Sequence, residues 1–358
     1  MPEARSDHEI GAYDFELPRE LVAQEPLPTR DASRLLVLGR ATGALEHRAF
    51  ADLPDLLRPG DLLVTNRSRV FPARLLGRRP GGGVAEVLLV RRLAPDVCKA
   101  MVRPGRRLRP GVVIDVAPGL SVRIEGPEAA PTSAADPPSP LRRVRLLLDG
   151  LDAETALERH GHVPLPPYIR RTDAPSDRDR YQTVYAREAG SVAAPTAGLH
   201  FTTTLLERLR EHGIELAELV LHVGPGTFRP VEAEDVREHR VDPERFAVPE
   251  TTAAAVDRAR AEGRRVVAVG TTATRALESA LDPEGRLKAG EGETGLVIVP
   301  GFRFRAVDAI VTNFHLPRSS LLLLVSAFGG RERVLAAYAE AVRQRYRFYS
   351  YGDAMLLG

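Results

Sequence analysis

The 358-residue chain has one cysteine, two asparagines, two lysines and no tryptophan. The single cysteine, Cys98, excludes an internal disulfide framework and a cysteine-rich zinc site, and it favours a reducing compartment. No run approaches the ~20 apolar residues of a membrane span, and the polar N-terminus lacks the apolar core of a secretory signal. We therefore expect a soluble cytoplasmic protein that does not enter a membrane.

Lysine is so scarce that arginine carries almost all of the positive charge. The chain has 50 basic and 48 acidic residues, a formal net charge of +2, which neither demands nor excludes a nucleic-acid partner. Clusters of arginine are more informative than the total. Two clusters could contact RNA or could be ordinary solvated surface: Arg103, Arg106, Arg107 and Arg109 in one loop, and Arg170 and Arg171 beside Tyr168.

The two asparagines, Asn66 and Asn313, stand in equivalent settings. Each follows a threonine at the end of an apolar run, 62–64 in one case and 310–311 in the other. Polar side chains at strand ends commonly build binding sites, although a turn or cap asparagine would give the same pattern. We expect both asparagines to contribute to a ligand site.

The pattern of apolar residues divides the chain into two kinds of structure. Short strands separated by Pro/Gly turns lie at 86–90, 112–116, 121–125 and 144–148, which is typical of a small β barrel. Helices and strands alternate elsewhere, with helices at 202–212 and 250–261 and strands at 214–223 and 265–269. The prediction is a mixed α/β fold: a large α/β domain containing a β-barrel, at 1–73 and 149–358, with an inserted small all-β barrel-like domain at 74–148.

Three stretches of small and polar residues each contain a histidine: Gly190–Phe201, His222–Phe228 and Thr312–Pro317. Such bare backbone lets a ligand approach, and histidine can take or give a proton near neutral pH. A single histidine of this kind could simply cap a helix or pack in a core. Three together indicate one active site, with these acid/base candidates: His200, His222 and His315. We expect these binding groups beside them: Thr196, Gly198, Gly226, Thr227 and Asn313.

Gly270, Thr271 and Thr272 lie at a strand-to-helix junction, where free amides and the helix dipole favour an anionic group. A threonine N-cap is an equally good interpretation. The stretch lacks the lysine of a P-loop, and no G-x-G-x-x-G follows a strand, so nucleotide-fold motifs are absent. Four histidines could converge on zinc, but H-E-x-x-H spacing is missing and we expect no metal: His200, His222, His239 and His315.

Several long motifs in one order resemble a known family from Tyr13 to the C-terminus. They are Tyr181–Tyr185, Gly190–Thr202, His222–Phe228, Gly270–Ser279, Asp308–Pro317 and Phe348–Leu356. The chain resembles S-adenosylmethionine:tRNA ribosyltransferase-isomerase of the queuosine pathway. The chain departs from the family pattern at Pro225 and at four positions whose roles stay open: Arg67, Ser68, Val241 and Asp242.

The resemblance implies a transferase that moves the ribosyl group, not the methyl group, of S-adenosylmethionine. The acceptor is 7-aminomethyl-7-deazaguanine at the tRNA wobble position, the product is epoxyqueuosine-tRNA, and adenine and methionine leave. S-adenosylmethionine is then a consumed substrate and no cofactor is expected. The resemblance also implies binding roles for Asn66, Thr271 and Thr272, in addition to Thr196, Gly198, Gly226, Thr227 and Asn313. It favours RNA contact by at least one of the two arginine clusters. A monomer is the working expectation. A non-catalytic RNA-binding module and a metal-dependent hydrolase remain alternatives.

Overall fold

Seventeen strands and eight α-helices, together with short 3-10 helices, form the described part of this computed structural model, which comprises residues 6–127, 141–228 and 230–358. The strands are β1 (Arg34–Leu38), β2 (Leu45–Ala49), β3 (Leu62–Asn66), β4 (Ser68–Val70), β5 (Arg74–Arg78), β6 (Val84–Ala94), β7 (Val97–Arg103), β8 (Val113–Ala117), β9 (Leu120–Pro127), β10 (Leu141–Leu148), β11 (Glu188–Ser191), β12 (Glu215–Leu221), β13 (Glu244–Val248), β14 (Val266–Val269), β15 (Gly290–Thr294), β16 (Ala309–Asn313) and β17 (Ala354–Leu357). The helices are α1 (Leu53–Leu56), α2 (Ala153–His160), α3 (Asp177–Arg180), α4 (Thr203–Glu211), α5 (Glu250–Ala261), α6 (Gly270–Ser279), α7 (Ser320–Gly329) and α8 (Arg331–Arg343).

Nine strands form one mixed sheet in the order β15-β13-β12-β3-β14-β16-β17-β1-β2. Strands β12, β3, β14 and β16 run parallel to one another. Every residue of β3, β14 and β16 is buried, because helices cover both faces of the sheet and apolar runs are then favoured over alternation. Helices α5 to α8 pack on one face, and α1 and α4 pack on the other.

Six strands close into a barrel in the order β10-β7-β6-β5-β8-β9, with β9 pairing back to β10. Burial alternates along β9, so that every second side chain enters the barrel core, as period-2 packing requires. These strands all lie within 74–148. Strands β4 and β11 form a separate parallel pair.

The mixed α/β class and the inserted barrel are confirmed. The large sheet follows an open order with β15 and β2 at its edges, so the closed barrel of the described residues is the inserted one rather than a barrel within the large domain. The division into domains at 73/74 and 148/149 stays a prediction.

Local patterns predicted some elements well and missed others. Helix α5 has the predicted bounds, and α4 is shorter than predicted by one residue at each end. Helix α7 was not predicted, because the run at 321–325 is apolar on all sides and shows no helical period. No helix in the described ranges is both long and apolar enough to cross a bilayer. The cytoplasmic location and the monomeric state stay predictions.

Candidate active site

The site lies where four parallel strands end at one edge of the large sheet. Strand β3 ends at Asn66, β16 ends at Asn313, β12 leads into the loop at His222, and β14 leads into Gly270. Because the carboxyl ends of parallel strands meet at one edge, residues from distant parts of the chain come together there. Two cavities lie at this edge.

The smaller cavity, of about 60 Å³, is lined by short polar side chains, aromatic rings and small apolar residues. Its wall brings together five of the predicted binding residues and one predicted histidine: Thr196, Thr227, Thr271, Thr272, Asn313 and His315. Val223, Thr227 and Leu321 line both cavities, so the two spaces adjoin one another.

His315 is a buried group of the smaller cavity. Its Nε2 lies 2.9 Å from Thr312 Oγ1, and its backbone amide donates to the Tyr338 hydroxyl at 3.0 Å. Burial lowers the pKa of His315 to about 3. The imidazole is therefore neutral at physiological pH.

His200 is enclosed by protein on every side and does not line either cavity. Its Nδ1 lies 2.7 Å from Ser33 Oγ, its Nε2 lies 3.0 Å from Asn313 Nδ2, and its ring stacks on Phe50 at 4.9 Å. Burial, reinforced by nearby arginine charge, lowers the pKa of His200 to about 3. Both ring nitrogens have protein partners, so this side chain is placed to hold Asn313 rather than to touch a substrate.

Tyr349 is an aromatic residue of the smaller cavity that the sequence did not single out. Its φ of 73° lies in the left-handed region, which a tyrosine adopts only when its surroundings enforce it. Its ring stacks on Tyr168 at 4.2 Å, and its hydroxyl is buried without a partner among the described residues. The neighbouring Ser350 accepts or donates a 2.5 Å bond with the Tyr168 hydroxyl. Tyr349 lies within the motif Phe348–Leu356, but its left-handed backbone conformation is not visible in the sequence.

The larger cavity, of about 490 Å³, is a cleft between the barrel and the sheet edge. Strands β6 and β7 supply one wall, and the loop at 222–227 with the start of α7 supplies much of the other. A cavity of this volume is in the range of small-molecule and nucleotide sites.

His222 faces this cleft and packs against Gly190. Gly190 is skipped in the pairing of β11 with β4, a bulge that places its backbone beside the imidazole. A Cβ at Gly190 would lie 2.6 Å from His222 Cε1 and Nδ1. Burial, helped by Arg245, lowers the pKa of His222, while Glu188 and Glu291 oppose the shift. His222 Nδ1 is buried and has no partner in the described ranges.

Glu244 holds the loop that carries His222. Its Oε1 accepts from the Gly224 amide at 2.7 Å and from Thr227 Oγ1 at 3.4 Å, and its other oxygen pairs with the buried Arg275 guanidinium. Gly226 and Thr227 both line the cleft. Sequence reasoning missed Glu244 and Arg275 because their pairing joins β13 to α6.

Two predicted binding residues do not line either cavity. Asn66 is fully used within the protein: its Nδ2 donates to the Leu221 carbonyl at 2.9 Å, and its Oδ1 accepts from the amides of Leu221 and Ser68, each at 3.0 Å. A side chain with no free hydrogen-bonding group ties β3 to β12 instead of binding a ligand. Gly198 is a packing position, since a Cβ there would lie 2.2 Å from the Tyr185 hydroxyl.

The arginine candidates separate into free and engaged groups. The four arginines of the barrel loop are exposed and make no ion pair within the described residues: Arg103, Arg106, Arg107 and Arg109. Arg170 is also exposed. Arg171 is different, because it forms two bonds of 2.6 and 2.9 Å with the buried carboxylate of Asp177. Its prediction as an RNA contact is therefore not supported by its surroundings.

The cleft also contains three of the positions that depart from the family pattern. Pro225, Val241 and Asp242 line it, whereas Ser68 is buried and accepts from Ser191 Oγ at 2.9 Å. Among the described residues, no three histidine, cysteine, aspartate or glutamate side chains come together in a way that could hold a metal ion. Cys98, the lone cysteine, is buried and unpaired at the cleft wall.

Comparison with known proteins identifies the family. The model of the queuosine biosynthesis protein family matches residues 10–357. The chain is 53% identical over 350 residues to the S-adenosylmethionine:tRNA ribosyltransferase-isomerase of Syntrophotalea carbinolica, which covers 97% of this chain and 99% of that protein. The enzyme of the same name from Thermus thermophilus matches at 53% identity with the same coverage. A crystal structure of S-adenosylmethionine tRNA ribosyltransferase from Thermotoga maritima is similar with a TM-score of 0.54 and 38% identity, over 97% of this chain and 100% of that one. The chain therefore belongs to the queuosine biosynthesis family of S-adenosylmethionine:tRNA ribosyltransferase-isomerases, and it is a transferase.

Proposed function

We propose that this protein transfers and isomerises the ribosyl group of S-adenosylmethionine onto 7-aminomethyl-7-deazaguanine at the wobble position of tRNA. The products are epoxyqueuosine-tRNA, adenine and methionine, so every part of S-adenosylmethionine is accounted for. The observation that carries the proposal is the family match over residues 10–357. The sheet edge of this chain supports it, because neutral histidines lie there beside a cleft of about 490 Å³.

The reaction requires proton transfers that the cleft can support. A base must remove a proton from the 5′ carbon, which the adjacent sulfonium makes acidic, and an acid must assist the departure of adenine. His222 is our candidate for one of these roles, because it lies on the cleft and its lowered pKa keeps it unprotonated and able to accept a proton. His200 acts as a positioning residue for Asn313. His315 lines the smaller cavity, so its imidazole acts on a group bound there.

The RNA substrate needs a positively charged approach to the cleft. Arg92 and Arg245 are exposed on its wall and make no ion pair in the ranges that the structure describes. Lys99 of β7 lines the cleft, whereas Arg103, at the end of the same strand, and Arg106, Arg107 and Arg109 beyond it do not. We therefore expect this loop to contact RNA beside the cleft rather than inside it.

RNA binding across a salt series tests this arrangement. Replacing Arg106, Arg107 and Arg109 by Ala removes exposed charge without disturbing the barrel core, so S-adenosylmethionine binding should be unchanged. The log-log salt slope of tRNA binding should flatten by roughly 0.7 to 0.9 for each lost phosphate contact. A matched pair, Arg92→Ala and Arg245→Ala, should weaken tRNA binding through the cleft itself. Unchanged slope and affinity in the first variant would assign RNA recognition to the cleft alone.

We further propose that neither a metal nor a cofactor takes part, because the acid/base groups and binding groups named above suffice for the chemistry. The direct test of the proposed function is product analysis after incubation with S-adenosylmethionine and tRNA carrying the deazaguanine base. Adenine and methionine should appear in equal amounts and in step with modified tRNA. Adenosylhomocysteine as the main product would overturn the proposal.

A further inference from the structure

The smaller cavity places a helix N-terminus opposite an unused side-chain acceptor. Helix α6 begins at Gly270, and its preceding residue provides no side-chain cap. The first-turn amides of Thr271 and Thr272 have no intrahelical acceptor, and together with the helix dipole they favour a carboxylate. All three residues line the cavity.

The acceptor opposite is Asn313, whose orientation is fixed by its neighbours. The Tyr349 carbonyl can only accept, so the Asn313 Nδ2 that lies 3.1 Å away must donate to it. The same NH₂ group lies 3.0 Å from His200 Nε2, which must then be unprotonated, and His200 Nδ1–H donates to Ser33 Oγ.

This chain of bonds leaves Asn313 Oδ1 as a fixed acceptor. It has no partner in the described part of the chain, although Asn313 is only 2% exposed and lines the cavity. The Tyr349 hydroxyl is a second buried group without a partner on the same wall. Buried polar atoms left unpaired cost free energy, so a ligand that supplies donors is favoured here.

We propose that the smaller cavity binds a zwitterionic α-amino-acid group, with its carboxylate on the first-turn amides of α6 and its ammonium group on Asn313 Oδ1. This inference rests on the proposed function, under which the group is the methionine end of S-adenosylmethionine. The ribosyl group and the tRNA nucleotide then lie in the larger cleft, which adjoins the cavity at Val223, Thr227 and Leu321.

The size of the cavity separates this ligand from the adenine ring. A volume of about 60 Å³ corresponds to roughly four to six water positions at ~10–15 Å³ each, which matches the roughly five non-hydrogen atoms of an α-amino-acid group. Adenine has about twice as many atoms and a flat shape, and the cleft of about 490 Å³ has room for it.

Binding of substrate analogues to the full chain tests the assignment by calorimetry. The probes are S-adenosylmethionine, its decarboxylated analogue, its deaminated analogue, and the inosine analogue that lacks the adenine amino group. Loss of either charged group should weaken binding by about tenfold or more, the usual effect of removing a charge-assisted hydrogen bond. The inosine analogue should bind within about threefold. Equal binding of the decarboxylated compound, or a tenfold loss confined to the inosine analogue, would overturn the inference.

The variant Asn313→Leu supplies the protein side of the same test. It should weaken S-adenosylmethionine binding by about tenfold and change binding of the deaminated analogue by less than about threefold, since the two deletions remove one interaction. Equal losses for both ligands would overturn the assignment of the ammonium group. If the variant does not fold, the analogue series on the parent protein decides.

Failure of the proposed function gives a different result from failure of this inference. If S-adenosylmethionine binds and releases adenine but the analogues bind equally, only the inference is wrong. If S-adenosylmethionine does not bind, the proposed function is wrong. Free L-methionine is then the probe, and the inference requires that it bind and that Asn313→Leu weaken its binding.

Discussion

The substitution Gly190→Ala tests the placement of His222 most sharply. The new Cβ would lie 2.6 Å from the His222 ring, where ordinary contacts begin near 3.4 Å. The imidazole must therefore move by about 1 Å, and a misplacement of this size can lower turnover by ~100-fold. The backbone cost adds to this, because Gly190 has a φ of 150° that alanine adopts only at about 1–3 kcal/mol.

The assay separates these two effects with a matched control. Gly126 has a φ of 155°, and nothing lies within 4 Å of a Cβ built there. Gly126→Ala should therefore carry a similar backbone cost in denaturant unfolding and keep the parent turnover. Gly190→Ala should lose about a hundredfold in single-turnover adenine release while its affinity for S-adenosylmethionine changes by less than about threefold. Parent-like turnover in a folded Gly190→Ala protein would show that His222 is not the acid/base group.

Three further outcomes follow from the same structure. Because burial holds the pKa of His200 at about 3, its neutral form contributes stability that is complete above pH ~6.5 and lost as the pH falls toward 3. Between pH ~6.5 and 3, the unfolding free energy of the parent should fall by up to about 1.4 kcal/mol per pH unit more than that of His200→Gln. Urea titrations at a series of pH values measure this, and an equal dependence of the unfolding free energy on pH in the two proteins would contradict it. Arg171→Ala should cost about 3–5 kcal/mol by leaving the Asp177 carboxylate buried without its cationic partner, whereas Arg170→Ala should stay within about 0.5 kcal/mol by thermal unfolding. Turnover should be unchanged after exhaustive chelation of metal ions. A loss of activity on chelation that zinc reverses would instead favour a metal-dependent hydrolase.

The sequence predicted the elements whose patterns are local. Helix α5 and the barrel strands β6, β8, β9 and β10 were predicted from local apolar patterns, and the three histidine-bearing stretches were predicted to form one site. The uniform apolar run of α7 gave no period, because a helix buried on all sides has no polar face.

The roles within the site depend on contacts between distant residues. His200 and His315 look alike in sequence, yet Ser33 and Phe50, more than a hundred residues earlier, enclose only His200. Asn66 and Asn313 also follow the same local pattern. One is fully bonded within the sheet, and the other keeps an unpaired oxygen at the cavity, a difference that only the folded chain determines.

The fate of the ribosyl carbons tests the central claim most directly. The protein would be incubated with tRNA bearing 7-aminomethyl-7-deazaguanine and S-adenosylmethionine labelled with carbon-13 either in the ribose or in the methyl group. The tRNA would then be digested to nucleosides, and the masses of the nucleosides would be measured by mass spectrometry. We predict that the modified nucleoside carries the full ribose label and none of the methyl label. Methyl label in the tRNA, with adenosylhomocysteine in solution, would contradict the account.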